Sequence, residues 1–391
     1  MTITRLTASV LGVVALLLAA CGAPPTEEVA EPAATDQPAA TAAAEPSATE
    51  AATESATEDL YAQLEGLDPE QRRETLLEMA AEEEGAVMFY GSPNVDDITP
   101  VLEGFTEETG IETELFRSGA REVFQRVLQE AEAGRLGADA IIVSQGDMAA
   151  LEAEGLLMPL QTPLMDELVP DGRSETFAPA YLAVHVAAWN TDRVGPEQQP
   201  STWEDVLVSP PGLVAFDQSD YGWFATLVTE YFMAEQGMTE EEAVKVFQDA
   251  MPDNVVMRGH SAGTELLLAG EFAMHASLYM HDVRGFQDAP IEWEPAVEPV
   301  IYMPFSVGVT ATSARPASAL LLVDYILGAE EGQAIFASVG RTPANLKVEE
   351  GAIPPEYESM GVPSEILLEE RDKWEQLWLD EVVSRVGDDR T

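Results

Sequence analysis

The stretch that decides the fold is residues 86–144, AVMFYGSPNVDDITPVLEGFTEETGIETELFRSGAREVFQRVLQEAEAGRLGADAIIVS. It holds three short apolar runs, Ala86–Tyr90, Ile111–Phe116 and Ala138–Val143. Runs of this length with β-branched and aromatic side chains read as buried strands. Between them lie two segments of helical period, 96–108 and 120–133, closed by Gly110 and Gly134. A third helix over 147–154, closed by Gly155, follows the last run. Strands joined by single helices imply a parallel, open α/β sheet. In such sheets solutes sit beyond the carboxyl ends of strands, where helix N-termini present free N–H groups. Three loops hold those positions: Tyr90-Gly91-Ser92-Pro93-Asn94, Arg117-Ser118-Gly119 and Ser144-Gln145-Gly146-Asp147.

Downstream the theme repeats. Residues 181–189 (YLAVHVAAW) form a long strand, and Ser201 or Thr202 caps a helix opened by Trp203-Glu204-Asp205. Short strands at 213–216, 254–257 and 271–279 alternate with helices at 221–236 and 262–269. A second long apolar strand, 299–311, precedes helices at 317–327 and 330–338. The two long strands bracket a central α/β block, so the chain crosses twice between two lobes. The expected division is lobe 1 at 85–188 plus 303–391 and lobe 2 at 189–302. Residues 58–84 read as a helical preface, with Leu60, Leu64 and Leu67 on one face and a break near Pro69.

Upstream, Arg5 and the apolar run 8–20 have signal-peptide proportions, too short for a comfortable membrane span. The run ends in Leu18-Ala19-Ala20-Cys21-Gly22, which resembles a bacterial lipobox. That resemblance implies a signal peptide at 1–20, lipidation of Cys21 and an anchor on the outer face of the cytoplasmic membrane. Residues 22–57 are low-complexity Ala, Thr, Glu and Pro without a base or an aromatic, the composition of a flexible tether. Cys21 is the only cysteine in 391 residues, so an intrachain disulfide or a cysteine-built metal site is excluded. The formal charge is −52, from 71 acids against 19 bases. Such a surface excludes sequence-independent nucleic-acid binding and docking on anionic lipid through a basic face.

The motifs behind that leader resemble those of bacterial extracellular solute-binding proteins of ABC importers, in the ferric-iron-like branch of the two-lobed, type II periplasmic binding protein family. They are Glu84-Gly85 before a strand ending in Tyr90-Gly91-Ser92, then Glu154-Gly155-Leu156-Leu157 and Trp189-Asn190-Thr191-Asp192. Ser201-Thr202-Trp203-Glu204-Asp205 follows, then Leu267 through Gly270-Glu271, and Asp324-Tyr325-Ile326-Leu327 with Glu331-Gly332-Gln333. The resemblance covers about residues 70–345. It implies two mixed sheets flanked by helices, a hinge of two crossover strands, and capture of a small solute for a membrane permease. It also implies a monomer that touches the membrane through its lipid only.

Iron-binding members of that family hold the metal with a tyrosine pair. Here Tyr279 matches the first of the pair, but Met280 replaces the second and His281 follows. Tyr279, His281 and Tyr221, with a carboxylate from Asp96, Asp97 or Asp147, are the candidate ligands. Ferric iron would then be cargo, and no resident cofactor is expected. An organic or oxyanion solute held by helix N-termini and an arginine is the other reading, and Arg117, Arg258 and Arg284 lie nearest the predicted cleft. The expected solute site is Tyr90, Ser92, Asn94, Arg117, Ser118, Ser144 and Asp147 from one lobe. The other lobe contributes Tyr221, Arg258, His260, Ser261 and Tyr279.

Gly259-His260-Ser261-Ala262-Gly263 matches the G-x-S-x-G elbow of serine hydrolases and lies between a strand and a helix. Its partners are poor. The histidines after Ser261 are His275 and His281, the acids between are Glu265 and Glu271, and the last 110 residues hold no histidine. The better reading is a loop opening a helix toward the cleft, in a protein that is not an enzyme. A lipoprotein with a structural role is the remaining alternative. His185 and His275 sit in apolar strand contexts and read as core residues.

Overall fold

The computed structural model describes residues 57–286 and 288–387. The expected signal peptide, Cys21 and the tether up to residue 56 lie outside that range. In the first half of the chain, residues 57–64 (α1) and Pro69–Ala80 (α2) precede β1 (Val87–Gly91). Then come α3 (Val95–Thr109), β2 (Thr113–Arg117), α4 (Ala120–Glu132), β3 (Ala140–Ser144) and α5 (Gln145–Ala153). The long strand β4 (Ala178–Asn190) leads to α6 (Trp203–Leu207), β5 (Val214–Asp217) and α7 (Tyr221–Thr226), which runs on as a wider π-type helix to Glu235. After α8 (Glu240–Ala250) follow β6 (Val255–Met257), α9 (His260–Leu268), β7 (Met274–Tyr279) and α10 (Met280–Arg284). The chain ends with β8 (Ile291–Glu292), β9 (Val300–Val309), α11 (Pro316–Leu327), α12 (Gly332–Ser338), β10 (Thr342–Pro343), β11 (Ser359–Gly361), α13 (Ser364–Leu368) and α14 (Arg371–Gln376). No helix among the described residues is long and apolar enough to cross a membrane.

Local signals explain these boundaries. Asp68 and Gln71 form a capping box at α2, whose first residue is Pro69. Helix α3 stops at Gly110, which takes φ 75° and lets its N–H bond back to Thr106. The thirteen residues of β4 are all buried, as a strand covered on both faces requires.

The expected pair of sheets is corrected to one continuous eleven-stranded sheet, with main order β2-β1-β3-β9-β4-β7-β5-β6. β1, β2 and β3 pair in parallel on one side, and β5, β6 and β7 in parallel on the other. The two long strands join the halves. β9 runs antiparallel to β3 and to β4, and the far end of β4, from His185 to Trp189, pairs with β7. Two strands long enough to serve both halves leave no gap at which the sheet could split.

Helices α2, α3, α11 and α12 bury one core with β1, β3 and the start of β4. A second core gathers Trp203, Trp223, Phe224 and Phe247 around β5. The division of the C-terminal part also differs from expectation. α11 and α12 join the first core, whereas Val362, Ile366, Leu367, Trp374, Trp378 and Val382 join the second. Nothing in the local pattern of 362–382 carries that choice. The indole rings of Trp374 and Trp378 stack edge-on or tilted on Phe224, and that contact brings the segment across.

Candidate functional site

Helices α4, α5, α7 and α9 start at the carboxyl ends of β2, β3, β5 and β6, and residues at these starts gather with Phe305 of β9. Two cavities open there. The smaller, 180 Å³, is lined by Ser92, Asn94, His260, Ser261, Tyr279 and Arg341 among others. The larger, 680 Å³, is lined by Arg121, Ser144, Asp147, Asp220, Tyr221 and Arg371 among others. Ala120, Tyr279 and Phe305 line both, so the two form one cleft walled by both halves of the sheet. A roomier hollow of 1170 Å³ lies against residues 337–355, but of the predicted residues it receives only His281 and Arg284. Convergence of polar groups, not volume, selects the cleft.

Arg341 is the central cation of the smaller cavity. It is 5% exposed, pairs with Asp97, and sits 3.3 Å from His281 Nδ1 with its guanidinium over the Tyr181 ring. Its Nε, Ser92 Oγ and Asp282 Oδ2 are buried without a partner. Buried polar atoms are normally paired, so three orphans at one cavity wall need an explanation. Burial raises the Asp282 carboxyl, while Arg341 and a Ser261 hydrogen bond pull the other way. Burial, then the Arg341 charge, presses His281 far below its usual value and keeps it neutral.

Behind Tyr279 lies a buried trio. His260 Nε2 stands 3.0 and 3.1 Å from the two Asp220 oxygens, and His185 Nε2 lies 3.6 Å from Asp220 Oδ1. Burial opposes charge on Asp220, but the charge of His260, its hydrogen bond and the nearby His185 hold the carboxyl well below the usual range. Burial likewise opposes charge on His260, and the Asp220 carboxylate outweighs it and raises the imidazole. The Tyr279 ring stacks 3.9 Å from that of His260 and 5.3 Å from that of His281. Burial first, then the Asp220 charge, raises its phenol well above the ordinary value.

The structure brings together Ser92, Asn94, Ser144, Asp147, Tyr221, His260, Ser261, Tyr279 and His281 at this cleft. It does not bring Tyr90 there. The Tyr90 ring packs with Val123 and Val127 of α4 and its hydroxyl donates to Glu130 at 3.1 Å, because that face of β1 is covered by a helix. Arg117 holds its own loop, donating to Pro93 O at 3.1 Å and to Asn94 Oδ1 at 3.3 Å. Ser118 lines neither cavity, and its N–H bonds Gly91 O. Arg258 is exposed and donates to Gln218 at 2.6 Å, and Arg284 donates to Gly351 O beside the roomier hollow. Asp147 is paired with Arg371 at 2.9 Å and Tyr221 lies under the same guanidinium, with burial raising its phenol to about 12.

Ser261 sits in the first turn of α9, and among the described residues it makes no hydrogen bond to an imidazole. Gly259 takes φ 92°, and a Cβ on Gly263 would lie 3.0 Å from the His275 ring. The two glycines of the G-x-S-x-G pattern thus serve a tight helix entry and the close seating of α9 on β7.

The profile of the bacterial extracellular solute-binding protein family matches residues 101–361, and the chain belongs to that family. The same fold appears in AfuA from Actinobacillus pleuropneumoniae, solved with fructose-6-phosphate, at 20% identity and TM-score 0.63 over 76% of this chain and 99% of that one. Iron-bound HitA from Pseudomonas aeruginosa matches at 16% identity and TM-score 0.63 over 76% and 99%. The apo ferric ion-binding protein A of Pasteurella haemolytica matches at 19% identity and TM-score 0.63 over 76% and 98%. The fold is therefore the mixed α/β, two-lobed fold of periplasmic binding proteins, and the chain is an extracellular solute-binding protein.

Proposed function

We propose that this chain is the lipid-anchored solute-capture component of an ABC importer, and that its solute is a small organic molecule carrying a carboxylate or phosphate. One observation carries the ligand class: the orphaned Nε of buried Arg341 beside the orphaned hydroxyl of Ser92. Arginine has only donors to offer, and an oxyanion is the complement that suits its geometry. The orphaned Asp282 oxygen supplies an acceptor for a hydroxyl or ammonium of the same solute. Ferric iron fits these residues less well. A hard trivalent ion needs anionic oxygens. Burial holds the Tyr279 phenol neutral, Asp97 is tied to Arg341, and Asp147 is tied to Arg371.

The solute enters between the halves and both walls close on it by bending at β4 and β9, as in hinge-type domain closure. The permease then takes the loaded protein at the membrane, where acylated Cys21 keeps it. No observation favours the serine-hydrolase reading, since among the described residues no imidazole bonds Ser261, or a purely structural lipoprotein.

A thermal-shift screen of carboxylates, sugar phosphates, sugars, polyamines and ferric citrate tests the ligand class, because a ligand of the folded state raises its melting point. Anionic organic solutes should raise Tm, ferric citrate should not, and Arg341→Gln should weaken binding of the hit by about tenfold or more. A hit confined to ferric or neutral compounds, or unchanged affinity in the variant, refutes it. In cells, Cys21→Ala should move the protein from the membrane fraction to the medium or periplasm.

A further inference from the structure

The trio behind Tyr279 is poorly explained as a set of hydrogen bonds. His185, in the middle of β4, Asp220, at the entrance of α7, and His260, the first residue of α9, are 3%, 4% and 7% exposed. Two imidazoles point their Nε2 atoms at one carboxylate. Only His260 reaches hydrogen-bond distance, and the 3.6 Å separation of His185 from Asp220 is too long for one. The other nitrogen of His185, Nδ1, is buried with no partner. A buried histidine with neither ring nitrogen well bonded is costly to keep.

The same atoms are well placed as ligands. One nitrogen from each histidine and one Asp220 oxygen lie within 4.8 Å of one another. Around a zinc-sized ion with bonds of about 2.0–2.2 Å, tetrahedral donors stand roughly 3.3 Å apart. The distances of 3.0 Å from His260 and 3.6 Å from His185 to Asp220 bracket that value. Three donors from three separate elements converge at the cleft wall: His185 and Asp220 line the larger cavity, His260 the smaller, and Tyr279 both. Asp217 supports the geometry from behind. It accepts the Gly259 N–H at 2.5 Å and the Ser219 hydroxyl at 2.5 Å, which fixes the entrance of α9 relative to β5.

We propose that His185, Asp220 and His260 bind one divalent transition-metal ion of the zinc class, with its open coordination position facing the cleft. Two imidazoles and one carboxylate suit zinc, cobalt, nickel or copper better than a hard trivalent ion. This set shares no residue with the tyrosine-based set read from the sequence, and the proposal does not rest on the anionic-solute reading. It is tested with the metal alone.

The purified chain, stripped with a chelator, is titrated with Zn²⁺ in competition with a chromophoric chelator, and with Co²⁺ followed in the visible. One equivalent should bind, and Co²⁺ should give the visible band of a low-symmetry nitrogen and oxygen site. His185→Gln and His260→Gln should each weaken binding at least about 100-fold, the upper end of what a lost supporting contact costs a metal site. His281→Gln, outside the trio, should leave it unchanged. Circular dichroism reports whether each variant is folded. X-ray absorption on the wild-type zinc complex needs no variant and should read two imidazole ligands. Failure of the wild type to compete for Zn²⁺ overturns the site. So does an all-oxygen shell, as scattered surface carboxylates would give, or undiminished binding in both histidine variants.

Discussion

Gly263 is the residue whose replacement tests the seating of α9 most directly. An added Cβ would stand 3.0 Å from His275 Cδ2 and Nε2 and 3.2 Å from a Leu278 methyl, none of which can recede from a fully buried strand. Gly263→Ala should therefore destabilise by about 1–3 kcal/mol, the usual cost of overpacking, despite the better helix propensity of alanine. Chemical denaturation measures it, and a neutral or stabilising result would mean that α9 can slide on β7. The motif around Gly263 was legible as a loop opening a helix. The residues it faces were not. His185 sits in an unbroken apolar run, which hides a polar contact formed only when β4, α7 and α9 meet. Arg341 and Arg371 reach the cleft from segments 50 or more residues past the last second-lobe candidates, His281 and Arg284, with no motif marking either. Tyr90 was misplaced for a simpler reason: a strand-end tyrosine points to one face or the other, and the covering helix decides which.

At the scale of elements, glycine punctuation and apolar runs located most strands and helices, because these signals are local. The continuous sheet and the docking of 362–382 were not readable, since both depend on pairing between distant segments. The start of α6 is a case where local chemistry suffices. Thr202 Oγ1 accepts the Asp205 N–H at 3.2 Å, and Asp205 Oδ2 accepts the N–H groups of Ser201 and Thr202 at 2.9 and 3.1 Å. The Ser201 N–H bond is the main cause that holds the Asp205 carboxyl below its usual value, against the opposing effect of burial. A depressed carboxyl stabilises the fold at pH above its unfolded value, near 4, and loses that contribution as pH falls through the folded value. Asp205→Ala should cost about 1 kcal/mol at pH 7. The gap from wild type should shrink below about pH 4 as the carboxyl takes up its proton. Urea melts at pH 7 and in that acid range give both numbers, and a gap independent of pH would show that the carboxylate charge is not what stabilises the turn.

For the whole molecule the governing quantity is charge. Only seven of the 71 acids fall within 22–57, so the excess belongs to the folded body. Few bases are present to offset it, and several of those are spent in buried pairs such as Arg72 with Asp324 and Arg341 with Asp97. The surface must therefore repel itself, and unfolding lets the charges move apart. Salt screens this repulsion: the Debye length falls from about 30 Å at 0.01 M to about 3 Å at 1 M. The buried pairs lining the cleft are screened far less, so the folded body gains more than the site loses. Melting temperature should climb as sodium chloride rises across that range, with the steepest change at the dilute end. A protein facing an external medium of high ionic strength gains from such a surface, because screening there relieves the repulsion while the charge keeps molecules apart. A melting temperature that stays flat or falls with added salt would mean that surface pairing already balances the charge, and would remove the argument for a saline exterior.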